Sequence, residues 1–552
     1  NASDTVFVNT KIDNIAETGY FNFRLDSLSH ARNLASIAVS TLYPLDLDGK
    51  DRNTDGKPLA GIVVTDGYTV TTTDAEGKYA FDRHDEAAYV YYSLPAEYRV
   101  PLRQGHPCLY KKLTDDKVYD FVLQPLKGGK EDKFRLVMVA DPQCQNLRHV
   151  YRFHSETAPD LKKTAKKTKT PCYAISLGDI VYSEGPRNAN YLMPMIKEEM
   201  RAENIGMPMF QTIGNHDCDY EPVAIGKRNS TPTVRLQRMF EATFGPIDYS
   251  WNRGDVHIVS MNDIVYDDIN NFKKYHGDFT DKQVEWLRKD LSYVSKDKMI
   301  ILCVHIPLEH MRKSKNVQAV LAMMDEYAEA KIMSGHTHYS RRFTHKNGIH
   351  EYIFGAASGC WWWSNNNGDG CPNGYGLIDI DGNKVVDHRY KSTGFDIDYQ
   401  LRVYRGNATF GGKHEQPQLP FGADKILANV WFADTDWKIE VYEDGKFSGE
   451  MTKMKASPYR GDEHPSLTSS KDWWAIGYNT GVVGRGHKKG STRKNYCSPC
   501  HHMYIYTLKN PNAKVKVVAT DDKGRKYTCD HVIEGPEYEL AAPPVYKVSE
   551  VW

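Results

Sequence analysis

The stretch "TIGNHDCDY", residues 212–220, sets an amide, an imidazole and a carboxylate side by side where the apolar run "MPMFQTI" gives out. The same transition recurs at four other places between residues 133 and 392. "LVMVA" ends in Asp141-Pro142-Gln143, "YAISL" in Gly178-Asp179, "ILCV" in His305, and "KIMS" in Gly335-His336-Thr337-His338. Short, near-continuous apolar runs are the pattern of strands covered on both faces. Helical patterns lie between them: "TDKQVEWLRKDLSYV" (280–294) puts Thr280 and Gln283 at capping-box spacing and follows with Val284, Leu287, Leu291 and Val294 on one stripe. The alternation predicts an α/β domain over residues 133–392. In open α/β sheets ligands bind outside the carboxyl ends of the strands, so the five polar termini are expected to meet in one crevice.

The flanks read differently. Residues 1–128 carry β-branched and aromatic runs, "LAGIVVTDG", "YTVTTTDAEGKYAFDR" and "YVYYSLP", broken by Asp-Gly and Glu-Gly turns, which predict an N-terminal β-sandwich. The segment "KGGKED" (127–132) is a linker. Residues 398–552, with "ILANVWFADTDWKIEVYEDGK" and "AKVKVVATDDKGRKYTCDHV", predict an antiparallel β domain. The fold class is thus a multi-domain α/β (α+β) chain.

Lys plus Arg and Asp plus Glu stand at 71 each, so no global field draws in a nucleic-acid polymer. The basic runs "KKTAKKTKT" (162–170) and "RGHKKGSTRK" (485–494) read as a solvated helix face and an exposed loop. No apolar run approaches the ~20 residues of a spanning helix. A start at Asn1 rather than Met fits an exported product, periplasmic or at the cell surface, and fits an artificially trimmed chain equally well; a monomer or weak oligomer is expected.

The polar set is Asp141, Gln143, Asp179, Asn215, His216, Asp217, His305, His336 and His338, with no cysteine among the ligand positions. Carboxylate, carboxamide and imidazole together suit Mn, Fe or Zn, with Mg also possible, better than a thiolate zinc site or an all-oxygen calcium cage. Two carboxylates with several neutral donors fit a pair of divalent ions ~3.5–4 Å apart, one Asp bridging them. Such a pair neutralises a phosphate, generates hydroxide and clamps an in-line displacement. Singly, each motif has a blander reading: a turn at Gly-Asp, a semi-buried imidazole at His305, an Asx turn at Gly-Asn-His-Asp. The ordered conjunction, each member after a strand, is what those readings do not supply.

The series Asp-x-Gln, Gly-Asp, Gly-Asn-His-Asp, His and Gly-His-x-His resembles the calcineurin-like metallophosphoesterase superfamily, whose catalytic domain is a β-sheet sandwich flanked by helices. "DGKPLAGIVVTDG", "GDGCPNGYGLIDIDG" and "LANVWFADTDWKIEVYEDG" resemble a bacterial exported subgroup with a carboxypeptidase-regulatory-like β domain in front and a C-terminal β domain behind. The resemblance implies that Asp141 and His338 hold one ion, that Asp179 bridges, and that Asn215, His305 and His336 hold the other. It implies that His216 protonates the leaving alkoxide or stabilises phosphoryl charge, with Asp217 orienting its ring. Gln143 departs from the commoner Asp-x-His, and its weaker oxygen donor implies a labile first ion, or one that is Mn or Mg.

The implied activity is hydrolysis of a phosphate mono- or diester by metal-activated hydroxide on a phosphorylated small-molecule, glycan or lipid substrate. Pyrophosphate cleavage in a nucleotide-sugar or lipid-linked substrate needs the same metals. A non-enzyme alternative is a carbohydrate- or surface-binding protein with a decayed core, which Gln143 alone favours. Tyr182 and the loop "GCWWWSNNNGDGC" (359–371), with Trp361, Trp362 and Trp363, are candidate substrate contacts, because aromatic faces stack on sugars and bases; at least two of the indoles read equally as packing. Cys360 and Cys371 bracket that loop and could be bridged. "CSPCHH" (497–502) reads as a disulfide or free thiols rather than zinc, since no second Cys/His pair follows at finger spacing.

Overall fold

The computed structural model describes residues 57–114, 118–183, 189–218, 232–268, 274–410, 419, 421–456, 469–483 and 498–541. Two sheets form its centre. The first runs, in spatial order, Lys384–Ser392, Gly374–Asp381, Lys133–Val139, Cys172–Leu177 and Met209–Thr212, the last three mutually parallel. The second runs Tyr249–Arg253, Val256–Ser260, Met299–Cys303, Glu329–Ser334, His350–Ile353 and Arg341–Thr344, with the middle four parallel and the two outer strands antiparallel.

Period-two alternation explains why these strands are apolar throughout. Leu136, Met138, Ile175 and Leu177 pack between the sheets against Ile258, Ile301, Cys303 and Met333. Their neighbours Val137, Val139, Ala174, Ile300 and Leu302 face outward into a layer with Phe153, Leu161, Leu287 and Val320 from the helices. A strand buried on both faces has no polar alternate positions to spare. The helix Asp281–Ser292 starts on the expected capping box, with Thr280 accepting from Gln283 N and Gln283 Oε1 accepting from Thr280 N, and buries Val284, Leu287 and Leu291. In Ala158–Lys167 the basic run stands on the outer face while Leu161 enters the core. The result is a sandwich of two sheets between helices.

The C-terminal region adds a five-stranded sheet (Thr452–Lys453, Met503–Thr507, Lys425–Val430, Leu401–Arg405, Val532–Ile533) and a four-stranded one (Lys446–Glu450, Lys438–Glu443, Val515–Thr520, Lys526–Cys529) around a shared core of Val403, Ala428, Val441 and Val517. In the N-terminal region the described residues build a four-stranded antiparallel sheet, Val70–Thr72, Val63–Thr65, Tyr89–Tyr92 and Tyr110–Lys112; residues 1–56 of the expected sandwich lie outside the described residues. That sheet docks on the two-sheet sandwich through the hydroxyls of Tyr89 and Tyr91, which donate to the carbonyls of Glu241 and Asp248. The buried Arg253 guanidinium adds hydrogen bonds to the carbonyls of Ala96 and Tyr98, both at 3.0 Å. Among the described residues no helix is long and apolar enough to cross a membrane.

Candidate metal centre

The polar termini of strands Lys133–Val139, Cys172–Leu177, Met209–Thr212, Met299–Cys303 and Glu329–Ser334 gather at one end of the sandwich. His305 Nε2 lies 3.0 Å from Asn215 Oδ1, 3.2 Å from His336 Nδ1 and 3.3 Å from Asp179 Oδ2. Its other nitrogen, Nδ1, lies 2.8 Å from the Leu177 carbonyl oxygen, which in the neutral ring makes Nδ1 the protonated atom and turns the Nε2 lone pair inward. On the adjoining side His338 Nε2 is 3.3 Å from Asp141 Oδ1. Gln143 Nε2 donates to Asp179 Oδ2 at 2.7 Å, and Asp179 Oδ1 accepts from His216 N at 2.7 Å. Asp179 therefore sits in the middle of the set.

The backbone is bent to achieve this. Asp141, Gln143, Asp179, His336 and His338 all have left-handed φ, between 40° and 66°, in a region that costs a non-glycine residue ~1–3 kcal/mol. Gly214 is required for closeness: a Cβ there would lie 2.1 Å from Asp179 N. Such strain persists only where surrounding contacts over-determine it. Here Asp141 N and Gln143 N donate to the carbonyls of Gly178 and Asp179, His336 N donates to Asp141 Oδ2, and Ser358 Oγ donates to the Asp141 carbonyl.

Three buried atoms, Asp141 Oδ1, Gln143 Oε1 and His338 Nδ1, have no hydrogen-bond partner among the described residues. Two of them are oxygen donors facing a site of carboxylates and imidazoles, a set that divalent cations satisfy. The electrostatics agree. Burial pushes the His305 imidazolium down, but the Asp179, Asp141 and Asp263 carboxylates outweigh it and raise its pKa to about 10. Burial likewise pushes Asp179 up, and His305 with His216 overrides it, holding that carboxyl well below the ordinary range. His336 is driven well below its usual value by burial and by His305 beside it. The arrangement stabilises positive charge at its centre.

Two expectations need correction. Asp217 does not touch the His216 imidazole: its Oδ1 accepts from Ile180 N and Val181 N at 2.7 and 3.0 Å, and its Oδ2 from Gly214 N at 2.9 Å. His216 Nδ1 instead meets the Ser183 carbonyl oxygen at 2.8 Å, and its ring stacks on Tyr182 with centroids 4.2 Å apart. Trp362 cannot contact a substrate, because it is 1% exposed, donates Nε1–H to the Pro142 carbonyl and lies under the Arg152 guanidinium. Trp361 lies with its ring 5.0 Å from His338, and Trp363 is 40% exposed. Cys360 and Cys371 are not joined to each other; Cys371 Sγ lies 3.6 Å from His502 Nε2.

One residue escaped the sequence reading. Asp263, fully buried, accepts from His305 N at 3.3 Å and Ile306 N at 2.9 Å and so fixes the turn that carries His305; burial raises its pKa to about 8 against the lowering pull of His305. The signal was available, since Asn262-Asp263 ends the apolar run "VHIVSM", a further strand with a polar terminus.

A two-sheet sandwich with this donor set at its strand ends belongs to the metal-dependent phosphoric ester hydrolases. More narrowly, the chain is a member of the calcineurin-like phosphoesterase superfamily: residues 134–340 match the calcineurin-like phosphoesterase family, 46–126 the N terminal of calcineurin-like phosphoesterase, and 351–527 the C terminal of calcineurin-like phosphoesterase. The C-terminal match begins in the strand His350–Ile353, so its first strands pair within the catalytic sheets. Proteins of this superfamily use a dinuclear divalent metal centre. A manganese-dependent ADP-ribose/CDP-alcohol diphosphatase of Arabidopsis thaliana is 30% identical over 135 residues, 23% of this chain and 41% of that protein, so the match spans about two fifths of the relative's length. Among solved structures, a dimetal phosphatase from Danio rerio aligns at TM-score 0.31 and 14% identity, covering 47% of this chain and 96% of that one. A 5'-nucleotidase from Candida albicans aligns at TM-score 0.30 and 12% identity, covering 47% and 51%.

Proposed function

We propose that the chain hydrolyses a phosphate ester or a phosphoric anhydride of a small molecule at the centre formed by Asp141, Gln143, Asp179, Asn215, His305, His336 and His338. The observation that carries this reading is the buried convergence of these donors with Asp141 Oδ1 and Gln143 Oε1 lacking any hydrogen-bond partner among the described residues. Two divalent cations, Mn, Fe or Zn, would neutralise phosphate oxygens there and supply a nucleophile from water near neutral pH. In this reading Asp141 and His338 hold one, Asn215, His305 and His336 the other, and Asp179 stands between.

The chain's own groups do the rest. The Ser183 carbonyl fixes Nδ1 of His216 as the protonated nitrogen when the ring is neutral, so Nε2 is the atom that exchanges a proton with the leaving oxygen. Tyr182 stacks on that ring and limits its rotation. Trp361, beside His338, offers an aromatic face to a base or sugar.

A nucleoside-diphosphate substrate is the second reading. It is favoured by the diphosphatase described above, whose name gives ADP-ribose and CDP-alcohols as its substrates. The test is turnover of p-nitrophenyl phosphate, bis-p-nitrophenyl phosphate, ADP-ribose and a CDP-alcohol by chelator-treated protein, before and after Mn²⁺ is added. Metal-dependent cleavage of any of these that collapses in His216→Ala, with metal content unchanged, supports the reading. Failure of all four after a metal screen transfers support to a binding protein with a decayed core.

A further inference from the structure

A second cluster of ligand-type side chains lies where the loop carrying the three tryptophans meets the C-terminal domain. Asp369, Cys371 and His502 are each at most 1% exposed, and one donor atom from each lies within 4.8 Å of the others. His502 Nε2 is 3.2 Å from Asp369 Oδ2 and 3.6 Å from Cys371 Sγ. Tetrahedral zinc with Zn–S of about 2.3 Å and Zn–N and Zn–O of about 2.0–2.1 Å sets S···N and N···O edges of about 3.5 and 3.3 Å. The cluster already has those edges.

The neighbouring network decides which way His502 faces. Asn429 Nδ2 donates to the Asp369 carbonyl at 2.9 Å and to Asp472 Oδ2 at 2.7 Å, which leaves Asn429 Oδ1 as the atom that meets His502 Nδ1 at 2.6 Å. An amide oxygen only accepts, so Nδ1 carries a proton. In the neutral ring Nε2 then presents its lone pair to a carboxylate oxygen and a sulfur. Two acceptors 3.2 Å apart in a buried site repel unless a positive charge, a proton on Nε2 or a metal ion, lies between them. Asp369 is held for the purpose, with Oδ2 accepting from Ser340 N at 2.7 Å and Oδ1 from Cys371 N at 3.0 Å.

We propose that Asp369 Oδ2, Cys371 Sγ and His502 Nε2 form a three-ligand zinc site, separate from the dinuclear centre, that ties the tryptophan loop to the C-terminal domain. One thiolate, one imidazole and one carboxylate make the mixed sulfur, nitrogen and oxygen set that zinc accepts, with the fourth position left to water. Binding releases the Cys371 thiol proton to solvent, and His502 enters as the neutral ring. Cys500 is not a ligand, because its Sγ lies 3.6 Å from Nδ1, the opposite nitrogen. The "CSPCHH" segment carries only half of a zinc signal in sequence, outweighed there by a disulfide or free thiols, because the partner ligands come from residues 369 and 371 rather than from a nearby Cys/His pair.

The site has a spectroscopic signature that the catalytic centre lacks, since no cysteine is among that centre's ligands. Full-length protein loaded with Co²⁺ should show thiolate-to-cobalt charge-transfer absorption in the near ultraviolet. The band should persist in Asp179→Asn and in Cys500→Ala and vanish in Cys371→Ser and in His502→Gln. Zinc-loaded wild type should also retain about one equivalent per chain after a chelator treatment that abolishes turnover. A cobalt-loaded wild type without the band overturns the proposal with no variant needed, and so does a band that survives in Cys371→Ser. If Cys371→Ser does not fold, His502→Gln decides the assignment in the same way.

Discussion

His216 Nδ1 lies 2.8 Å from the carbonyl oxygen of Ser183, while the carboxylate of Asp217, the next residue, turns away to accept from three backbone N–H groups. The two neighbours therefore have separable roles. His216→Ala should lower kcat ~10²–10⁴-fold, the range for a lost general acid, with metal content intact. Asp217→Asn leaves one of its buried N–H partners facing an amide, so it should lower stability by ~1–3 kcal/mol and loosen the Gly178–Asp179 turn. Thermal unfolding and metal retention should register the Asp217 change, and the pH–rate limb of the imidazole should stay in place. A shifted limb in Asp217→Asn would show that the carboxylate tunes His216 after all.

Gln143 gives its amide to Asp179 and leaves Oε1 buried without a partner among the described residues. A histidine at this position tolerates the left-handed backbone better than most side chains and offers a stronger donor than a carboxamide. Gln143→His should strengthen retention of the first ion on the order of tenfold, the lower end of what a single supporting group contributes. Competition with a fluorescent chelator measures it. Equal or weaker retention would mean that Gln143 serves by positioning Asp179.

Trp361 and Trp362 are adjacent and should respond to alanine in opposite ways. Trp362 fills space under Arg152 and bonds to the Pro142 carbonyl, so Trp362→Ala should cost ~3–5 kcal/mol, seen in denaturant unfolding. Trp361→Ala removes an aromatic face beside His338 and should raise KM while leaving the unfolding midpoint close to wild type. The idea fails if the two variants lose the same stability.

The sandwich and its ligand positions were legible because the physics writes them locally. A strand covered on both faces must be apolar from end to end, and a crevice at carboxyl ends must be lined by whatever follows. What a side chain does inside that crevice is set by backbone direction, which sequence spacing does not encode. The five ligand residues with left-handed φ sit where propensity would call for glycine, and the turn at Gly214 sends Asp217 away from the ring beside it. Likewise, three consecutive indoles look alike in sequence; a left-handed turn at Trp361 and Trp362 buries Trp362, leaves Trp361 half-buried and exposes Trp363. Asp263 serves through backbone N–H groups that no residue pattern announces.

The docked face of the N-terminal sheet should carry an acid-side pH dependence. Glu241, whose carbonyl receives the Tyr89 hydroxyl, is buried, and burial raises its carboxyl to about 7 in spite of Arg238 at 2.6 Å. Half-buried Asp248, the acceptor for Tyr91, is raised to about 6 by burial, offset in part by Asn262 N–H and Gln283. Both folded values lie above the unfolded ones of about 4, so the folded state binds more protons. Their contribution to stability is complete below about pH 4 and is lost as pH rises through 6 and 7. Glu241→Gln keeps a neutral group of the same shape and removes one of these slopes. Urea midpoints at pH 5 and pH 8 should therefore differ less in Glu241→Gln than in wild type, with the variant holding its own at pH 8. A variant with the same pH difference as wild type would mean that Arg238 keeps Glu241 ionised throughout.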